Sequence, residues 1–209
     1  MKKAIIYIHG KGGNHREAEQ YRQNCPECNI YGVDYQDDFP WVVQEKILDV
    51  YNRLNKKYDC IYVLANSIGA YFSMHTLQKA DIKKAFFISP ILDMERLILD
   101  MMRWAEVSED ELAEKEEIPT DFGETLSWKY LCYVREHPIS WEIPTEILYG
   151  ENDSMTTLQT VKKFMDSHEA HLTVMKGGEH WFHTKEQLAF LNDLSLIHIS
   201  EPTRHSLIS

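Results

Sequence analysis

The stretch CIYVLANSIGA, residues 60–70, decides the fold class of this chain. Its first six residues form a short apolar run, which is typical of a buried strand. A helix-like pattern begins at Gly69, directly after the run, and small residues flank the serine at the junction. The stretch therefore predicts a buried strand that turns tightly into a helix at Ser67.

The same succession of buried strand and helix recurs along the chain. Such alternation predicts an α/β domain with a mostly parallel sheet and helices on both faces. In such sheets the ligand lies beyond the carboxyl ends of the strands. Six strands are predicted at 4–8, 29–33, 60–65, 84–88, 146–149 and 172–175, and helices at 16–24, 41–56, 69–79, 155–167 and 185–193.

Residues 90–140 interrupt this alternation, because their pattern is helical throughout. Helices are expected at 93–105, 108–116 and 124–136, and the segment holds 13 acidic and 5 basic residues. We expect one domain over residues 1–193, with this segment inserted after a strand as a helical cap. Ordinary crossover helices with a solvated acidic face are the alternative.

The last sixteen residues, LSLIHISEPTRHSLIS at 194–209, depart from the pattern of the helix before them. They match the translation of a transposase-type sequencing adapter, codon by codon from Leu194 to Arg204. We therefore expect the natural sequence to differ after about Asp193, and we exclude the tail from functional reasoning. An ordinary frayed C-terminus is the alternative.

Composition excludes several classes of protein. The 209 residues carry a net charge of −11, from 33 acidic and 22 basic residues, without the basic footprint of a nucleic-acid binder. The acidic balance also argues against polyanionic substrates and anionic membranes. Apolar runs fall short of the roughly 18 residues of a membrane span, and the run after Met1 is too short for a signal peptide. A cytoplasmic protein is expected.

Ser67 is a candidate nucleophile. A serine between small residues at a sharp strand-to-helix turn forms a nucleophile elbow, usually written Gly-x-Ser-x-Gly. Here Ala65 stands in the first glycine position, which keeps the volume low. The helix start behind Ser67 favours developing negative charge. A helix N-cap serine is the alternative interpretation.

The first strand ends in the glycine-rich loop His9-Gly-Lys-Gly-Gly-Asn14, where backbone N–H groups can approach a ligand closely. The N–H groups of Lys11 and Ile68 are therefore candidates for an oxyanion hole. A phosphate-binding loop is the alternative, but the glycine spacing fits neither the dinucleotide fingerprint nor a Walker A loop.

An acid and a base follow the last two strands. Asp153 can orient a histidine by accepting a hydrogen bond from its ring, although an N-cap role is the alternative, and Asp93 is a second candidate acid. His180 lies in the loop after the last strand and is the candidate base, with His183 as a second choice. Taken alone, either histidine is more often a surface or core residue.

The order Ser67, Asp153, His180, each after a successive strand, resembles the α/β-hydrolase superfamily, in its small bacterial serine-hydrolase form. The resemblance covers about residues 4–193. It implies a catalytic triad of these three residues, oxyanion N–H groups at Lys11 and Ile68, and cleavage of a small ester or related acyl compound. No metal or organic cofactor is required.

Two further hypotheses remain open at this stage. One is a peptidase of the same fold, for which the acidic cap could bind an N-terminal amine. The other is a non-catalytic binding protein that retains the fold. The pair Cys25-Pro-Glu-Cys28 lacks the second pair of ligands that zinc would need, so a surface turn with two reduced thiols is expected.

Overall fold

The computed structural model describes residues 1–194. The predicted adapter translation at 194–209 lies, apart from Leu194, outside the described residues. Within residues 1–194, no helix is both long enough and apolar enough to cross a bilayer.

The six predicted strands form one parallel sheet, as the alternating pattern indicates. Each apolar run becomes a strand, and the observed bounds differ from the predicted ones by two residues at most. The strands of this sheet are β1 (Lys3–Ile8), β2 (Cys28–Gly32), β3 (Cys60–Asn66), β4 (Lys84–Ile88), β7 (Thr145–Gly150) and β8 (Ala170–Met175), and a separate hairpin consists of β5 (Glu117–Pro119) and β6 (Thr125–Ser127).

The strand order is β2-β1-β3-β4-β7-β8, and every neighbouring pair is parallel. From β1 the chain adds β2 on one side, and it then adds β3, β4, β7 and β8 in turn on the other side. The order thus reverses between β1 and β3. Loops on either side of such a reversal diverge and leave a crevice at the carboxyl edge of the sheet. Lys11 follows β1 and Ser67 follows β3, so both predicted site segments border this crevice.

Alternate side chains of β1 supply the two cores. Ile6 and Ile8 belong to the larger apolar cluster, which includes Val43 and Ile47 of the first α-helix. Ile5 and Tyr7 belong to the smaller cluster on the other face. All five residues from Ala4 to Ile8 are fully buried, as expected for a central strand that helices cover on both sides.

The helices follow the predicted pattern with small shifts. The predicted helix at 16–24 is a 3-10 helix whose buried residues Ala18 and Tyr21 lie three apart, the spacing that three residues per turn puts on one face. The helix predicted from 155 begins at Leu158, because a turn stabilised by Asp153 occupies the preceding residues. The helices are the 3-10 helix (His15–Asn24), α1 (Pro40–Asn55), α2 (Ile68–Leu77), α3 (Met94–Trp104), α4 (Glu109–Lys115), α5 (Trp128–Glu136), α6 (Leu158–Ser167) and α7 (Lys185–Leu194).

The chain leaves the sheet between β4 and β7. Helices α3, α4 and α5 lie in this segment, and their side chains join the larger apolar cluster. The predicted helix at 124–136 begins only at Trp128, since Thr125–Ser127 pairs with Glu117–Pro119 as an antiparallel hairpin. The prediction that the segment is helical throughout is therefore wrong at the hairpin.

The Cys-x-x-Cys pair encloses an exposed turn at Pro26 and Glu27, as expected, but its two thiols do not lie at the surface. Cys25 and Cys28 are free thiols, and both are buried in the smaller apolar cluster beside Tyr21. The Cys28 N–H donates to the Cys25 carbonyl oxygen at 3.0 Å, which closes a turn that leads into β2. Both thiols face inward because the residues on each side of the turn pack into that cluster.

Candidate active site

Ser67 occupies a strained backbone conformation at the junction of β3 and α2. Its φ of 53° and ψ of −121° lie in a region that residues other than glycine rarely adopt, at a cost of about 1–3 kcal/mol. Hydrogen bonds to the neighbouring strand hold the turn: the Ser67 N–H donates to the Ile88 carbonyl oxygen at 2.9 Å, and the Ile91 N–H donates to the Ser67 carbonyl oxygen at 3.1 Å. The turn presents the Ser67 hydroxyl above the sheet rather than within a helix.

The small residues around Ser67 permit close backbone contacts. A Cβ atom on Gly69 would lie 2.4 Å from the Ile8 carbonyl oxygen and 2.6 Å from that of His9, so α2 can sit directly on the end of β1 only with glycine there. A Cβ on Gly10 would lie 3.2 Å from the Cβ of Ser67. Ala65, the departure from the usual elbow pattern, is fully buried in β3.

A continuous chain of hydrogen bonds links Ser67, His180 and Asp153. The Ser67 Oγ lies 2.8 Å from His180 Nε2, and His180 Nδ1 lies 2.8 Å from Asp153 Oδ2. The Asp153 side chain is fully buried, whereas that of His180 is 20% exposed. The second Asp153 oxygen, Oδ1, accepts from the N–H groups of Met155 and Thr156 at 2.8 and 2.9 Å, so both carboxylate oxygens have partners.

The loops after β7 and β8 are bound to each other, and this contact sets the geometry of the candidate acid and the candidate base. The Asn152 N–H donates to the Gly178 carbonyl oxygen at 2.7 Å, and the Gly177 N–H donates to Glu151 Oε2 at 2.8 Å. A Cβ atom on Gly150 would lie 2.5 Å from the Glu179 carbonyl oxygen, so the two loops touch backbone to backbone. Asp153 and His180, 27 residues apart, are thus held as a pair.

The second-choice residues lie elsewhere. Asp93 caps α3, where its Oδ1 accepts from the Arg96 N–H at 3.0 Å. His183 Nδ1 lies 2.8 Å from the Trp181 carbonyl oxygen, and its side chain is 46% exposed. The N-cap of α6 is Thr157 and not Asp153, because the Thr157 side chain accepts from the Thr160 N–H. The structure therefore brings Asp153 and His180, rather than Asp93 and His183, to Ser67.

A cavity of about 460 Å³ opens beside Ser67. Lys11 and Ile68, whose N–H groups are the candidate oxyanion donors, both line it. The Lys11 ammonium bridges Asp38 Oδ2 at 3.0 Å and Glu124 Oε2 at 2.5 Å, and so connects the loop after β2 to the hairpin tip. The structure thus puts the predicted nucleophile and both predicted oxyanion residues on one cavity.

Several cavity residues were not identified from the sequence. Asp37, Asp38 and Phe39 line the cavity from the loop after β2. This loop also follows the carboxyl end of a strand, where ligands of parallel sheets bind, so the same argument could have identified it. Tyr130 of α5 also lines the cavity, and its buried hydroxyl has no hydrogen-bond partner among residues 1–194. Burial raises the pKa of Tyr130 well above its ordinary value, so this phenol stays protonated. The sequence could not identify Tyr130, because a tyrosine that lines a cavity and one that packs in the core follow the same helical pattern.

Among residues 1–194, no group of three or more His, Cys, Asp or Glu side chains could hold a metal ion.

The fold resembles solved structures, although no protein-family model and no curated protein match the sequence. Mouse alpha/beta hydrolase domain-containing protein 10 superposes with a TM-score of 0.74 at 14% identity, over 91% of this chain and 86% of that chain. This chain has the α/β-hydrolase fold. The same fold superposes on Est1E from Butyrivibrio proteoclasticus with a TM-score of 0.74 at 16% identity, over 95% of this chain and 88% of that chain. The Pyrococcus furiosus esterase Pf2001 gives a TM-score of 0.56 at 19% identity, over 86% and 74% of the two chains.

Proposed function

We propose that this α/β-hydrolase-fold protein is a serine hydrolase that cleaves a small carboxylic ester or related acyl compound through an acyl-enzyme intermediate. The observation that carries the proposal is the chain of two 2.8 Å hydrogen bonds from Ser67 through His180 to Asp153. A hydroxyl, an imidazole and a buried carboxylate in this order form the arrangement that activates serine as a nucleophile.

In the first half-reaction, Ser67 Oγ attacks the acyl carbonyl carbon while His180 Nε2 takes the hydroxyl proton. Asp153 accepts the Nδ1–H hydrogen bond, so it fixes the tautomer and stabilises the imidazolium. The N–H groups of Lys11 and Ile68 stabilise the oxyanion. His180 then gives its proton to the leaving oxygen, the bond to the leaving group breaks, and the acyl group stays on Ser67.

In the second half-reaction, water takes the place of the leaving group. His180 removes a proton from the water as it attacks the acyl-Ser67 carbonyl, and the same two N–H groups stabilise the second oxyanion. Return of the proton to Ser67 Oγ breaks the acyl bond and releases the carboxylic acid. The two half-reactions need no reactant other than the acyl substrate and water.

We propose in addition that the segment between β4 and β7 serves as a cap over this site. Hairpin residues Glu124, Thr125 and Leu126 line the same cavity as Ser67, and so does Tyr130 of α5. The ion pairs of Lys11 join the hairpin to the loops of the sheet. Similarity to known structures supports the reaction class: Pf2001 is described as an esterase, and Est1E has been solved with ferulic acid bound.

Labelling by a fluorophosphonate tests the proposal. We expect the folded protein to be labelled, and the Ser67→Ala and His180→Ala variants to stay unlabelled at equal concentration and equal thermal stability. Turnover of p-nitrophenyl acyl esters should fall by several orders of magnitude in both variants. Absence of labelling in the well-folded protein would refute the triad and favour a non-catalytic binding protein.

A parallel assay with aminoacyl amides separates esterase from peptidase activity. The proposal predicts much faster turnover of p-nitrophenyl esters than of aminoacyl p-nitroanilides. Preference for the amides would instead favour a peptidase of the same fold.

A further inference from the structure

His180, the predicted proton donor, is not among the described residues that line the cavity beside Ser67. Ser67, Lys11 and Ile68 line it, whereas in the described chain residues 176–183, including His180, do not. In the proposed reaction the leaving oxygen must be within hydrogen-bond reach of His180 Nε2. The leaving group therefore lies on the side of Ser67 that faces His180, and the cavity is left for the acyl group. This step rests on the proposed function.

One wall of the cavity is aliphatic. Met94, Leu97, Ile98 and Met101 lie at positions i, i+3, i+4 and i+7 of α3, so they form a continuous stripe along one face of that helix. Met155 faces the cavity from the loop after β7. These side chains are flexible or branched hydrocarbons and thioethers, which suit a flexible hydrocarbon chain. The stripe extends over about 10 Å of helix, the length of an acyl chain of about six to eight carbons.

A second part of the cavity wall is rich in carboxylates. Asp37, Asp38 and Glu124 line it, and the Lys11 ammonium is already bound to two of these carboxylates. These three carboxylates outnumber the Lys11 ammonium, so an acyl chain that ends in its own carboxylate would meet a net negative charge there. Like charges in a partly desolvated cavity repel strongly, so the cavity disfavours dicarboxylic acyl groups.

We propose that the acyl group of the substrate is a neutral, unbranched alkanoyl chain of medium length that lies along the α3 stripe. Each methylene that the stripe buries should raise kcat/KM about fourfold, until the chain fills the cavity. Chains longer than the cavity should then lose activity. An aromatic acyl group such as that of ferulic acid, which Est1E binds, is rigid and planar and fits the stripe less well.

The test is a series of p-nitrophenyl esters from acetate to dodecanoate, with the background of the Ser67→Ala variant subtracted. We expect kcat/KM to rise about fourfold per methylene to a maximum near six to eight carbons and then to fall. The p-nitrophenyl monoester of hexanedioic acid should be hydrolysed at least tenfold more slowly than the hexanoate ester. A flat profile, a monoester as good as the hexanoate, or a preference for a feruloyl ester would overturn the proposal.

A pair of variants locates the chain in the cavity. Met101→Trp fills the far end of the stripe and should move the maximum of the chain-length profile to shorter chains. Met165→Trp is the matched control, because Met165 lies on α6, packs against the core and does not line the cavity. An unchanged maximum in a folded Met101→Trp protein, or an equal shift in both variants, would place the chain elsewhere.

Failure of this inference is distinguishable from failure of the proposed function. Fluorophosphonate labelling of Ser67 with a flat chain-length profile would remove the alkanoyl assignment and leave the serine hydrolase standing. A well-folded protein that is neither labelled nor active on any ester would refute both. Should Met101→Trp fail to fold, the comparison of hexanoate with the hexanedioic monoester still decides the matter, because it uses the unaltered protein.

Discussion

Replacement of Asp153 by asparagine should disable the site without disturbing the fold. Asp153 Oδ1 accepts from the N–H groups of Met155 and Thr156 at 2.8 and 2.9 Å, so the asparagine must keep its oxygen at this position. Its NH₂ group then faces His180 Nδ1, where Oδ2 lay at 2.8 Å. An NH₂ group can only donate, so Nδ1 must accept and the ring proton moves to Nε2. Nε2 can then no longer accept the proton of Ser67.

The size of the effect follows from this change of tautomer. A serine triad whose histidine is held in the wrong tautomer loses about 10⁴ in kcat, equivalent to about 5 kcal/mol of transition-state stabilisation. The free energy of unfolding should change little, since both N–H donors keep their acceptor and the side chain keeps its volume. A large loss of kcat with nearly constant stability is therefore expected for Asp153→Asn.

The assay is p-nitrophenyl ester hydrolysis with thermal unfolding of the same samples. Asp93→Asn is the matched control, because Asp93 only caps α3 and asparagine caps a helix equally well. It should keep both kcat and the melting temperature. If Asp153→Asn retains more than about a tenth of the activity, or if Asp93→Asn loses as much, the tautomer argument is refuted.

Three further predictions concern the fold. Gly69→Ala should destabilise the protein by about 1–3 kcal/mol in urea unfolding, since the new Cβ would lie 2.4 Å from the Ile8 carbonyl oxygen; an unchanged midpoint would contradict this. Trp141→Phe should cost about 1 kcal/mol, because it removes the buried 2.8 Å hydrogen bond from Trp141 Nε1 to Thr145 Oγ1; a gain in stability would exclude this. Burial lowers the pKa of His75 below its ordinary value of 6.5, so the unfolded chain binds more protons than the folded chain in acid. The free energy of unfolding therefore falls as the pH drops below 6.5. His75→Gln should reduce that fall between pH 7 and 5, and an identical pH profile would refute it.

Much of the fold could be predicted because its strands are continuous apolar runs. The residues from Ala4 to Ile8 are apolar on both faces, and only a central strand between two helical layers buries both. The hairpin at Glu117–Pro119 and Thr125–Ser127 was missed, since strands of three residues are too short to show a period. The burial of Cys25 and Cys28 was missed because it depends on packing against Tyr21 and not on the local turn.

The candidate site could be predicted from strand ends only in part. Asp93 and Asp153 both follow a strand, so the sequence pattern selected both as candidate acids. The pattern alone could not separate an aspartate that caps a helix from one that orients a histidine. The structure separates them through distant contacts: Thr157 caps α6, and the backbone contact between Gly150 and Glu179 brings His180 to Asp153. The charged wall at Asp37 and Asp38 was not predicted, because short acidic runs after a strand are usually solvated.

The geometry of the site depends on the same contacts that stabilise the sheet. Ser67 keeps its strained backbone because its N–H is bonded to the end of β4, and it sits above β1 because Gly69 lets α2 rest on the Ile8 carbonyl oxygen. His180 reaches Ser67 because the loops after β7 and β8 are bound to each other. A change that loosens either contact should displace Ser67 or His180 and weaken the hydrogen bond between them. The hydrogen bond between Ser67 and His180 therefore depends on how the loops after β1, β3, β7 and β8 pack at the carboxyl edge of the sheet.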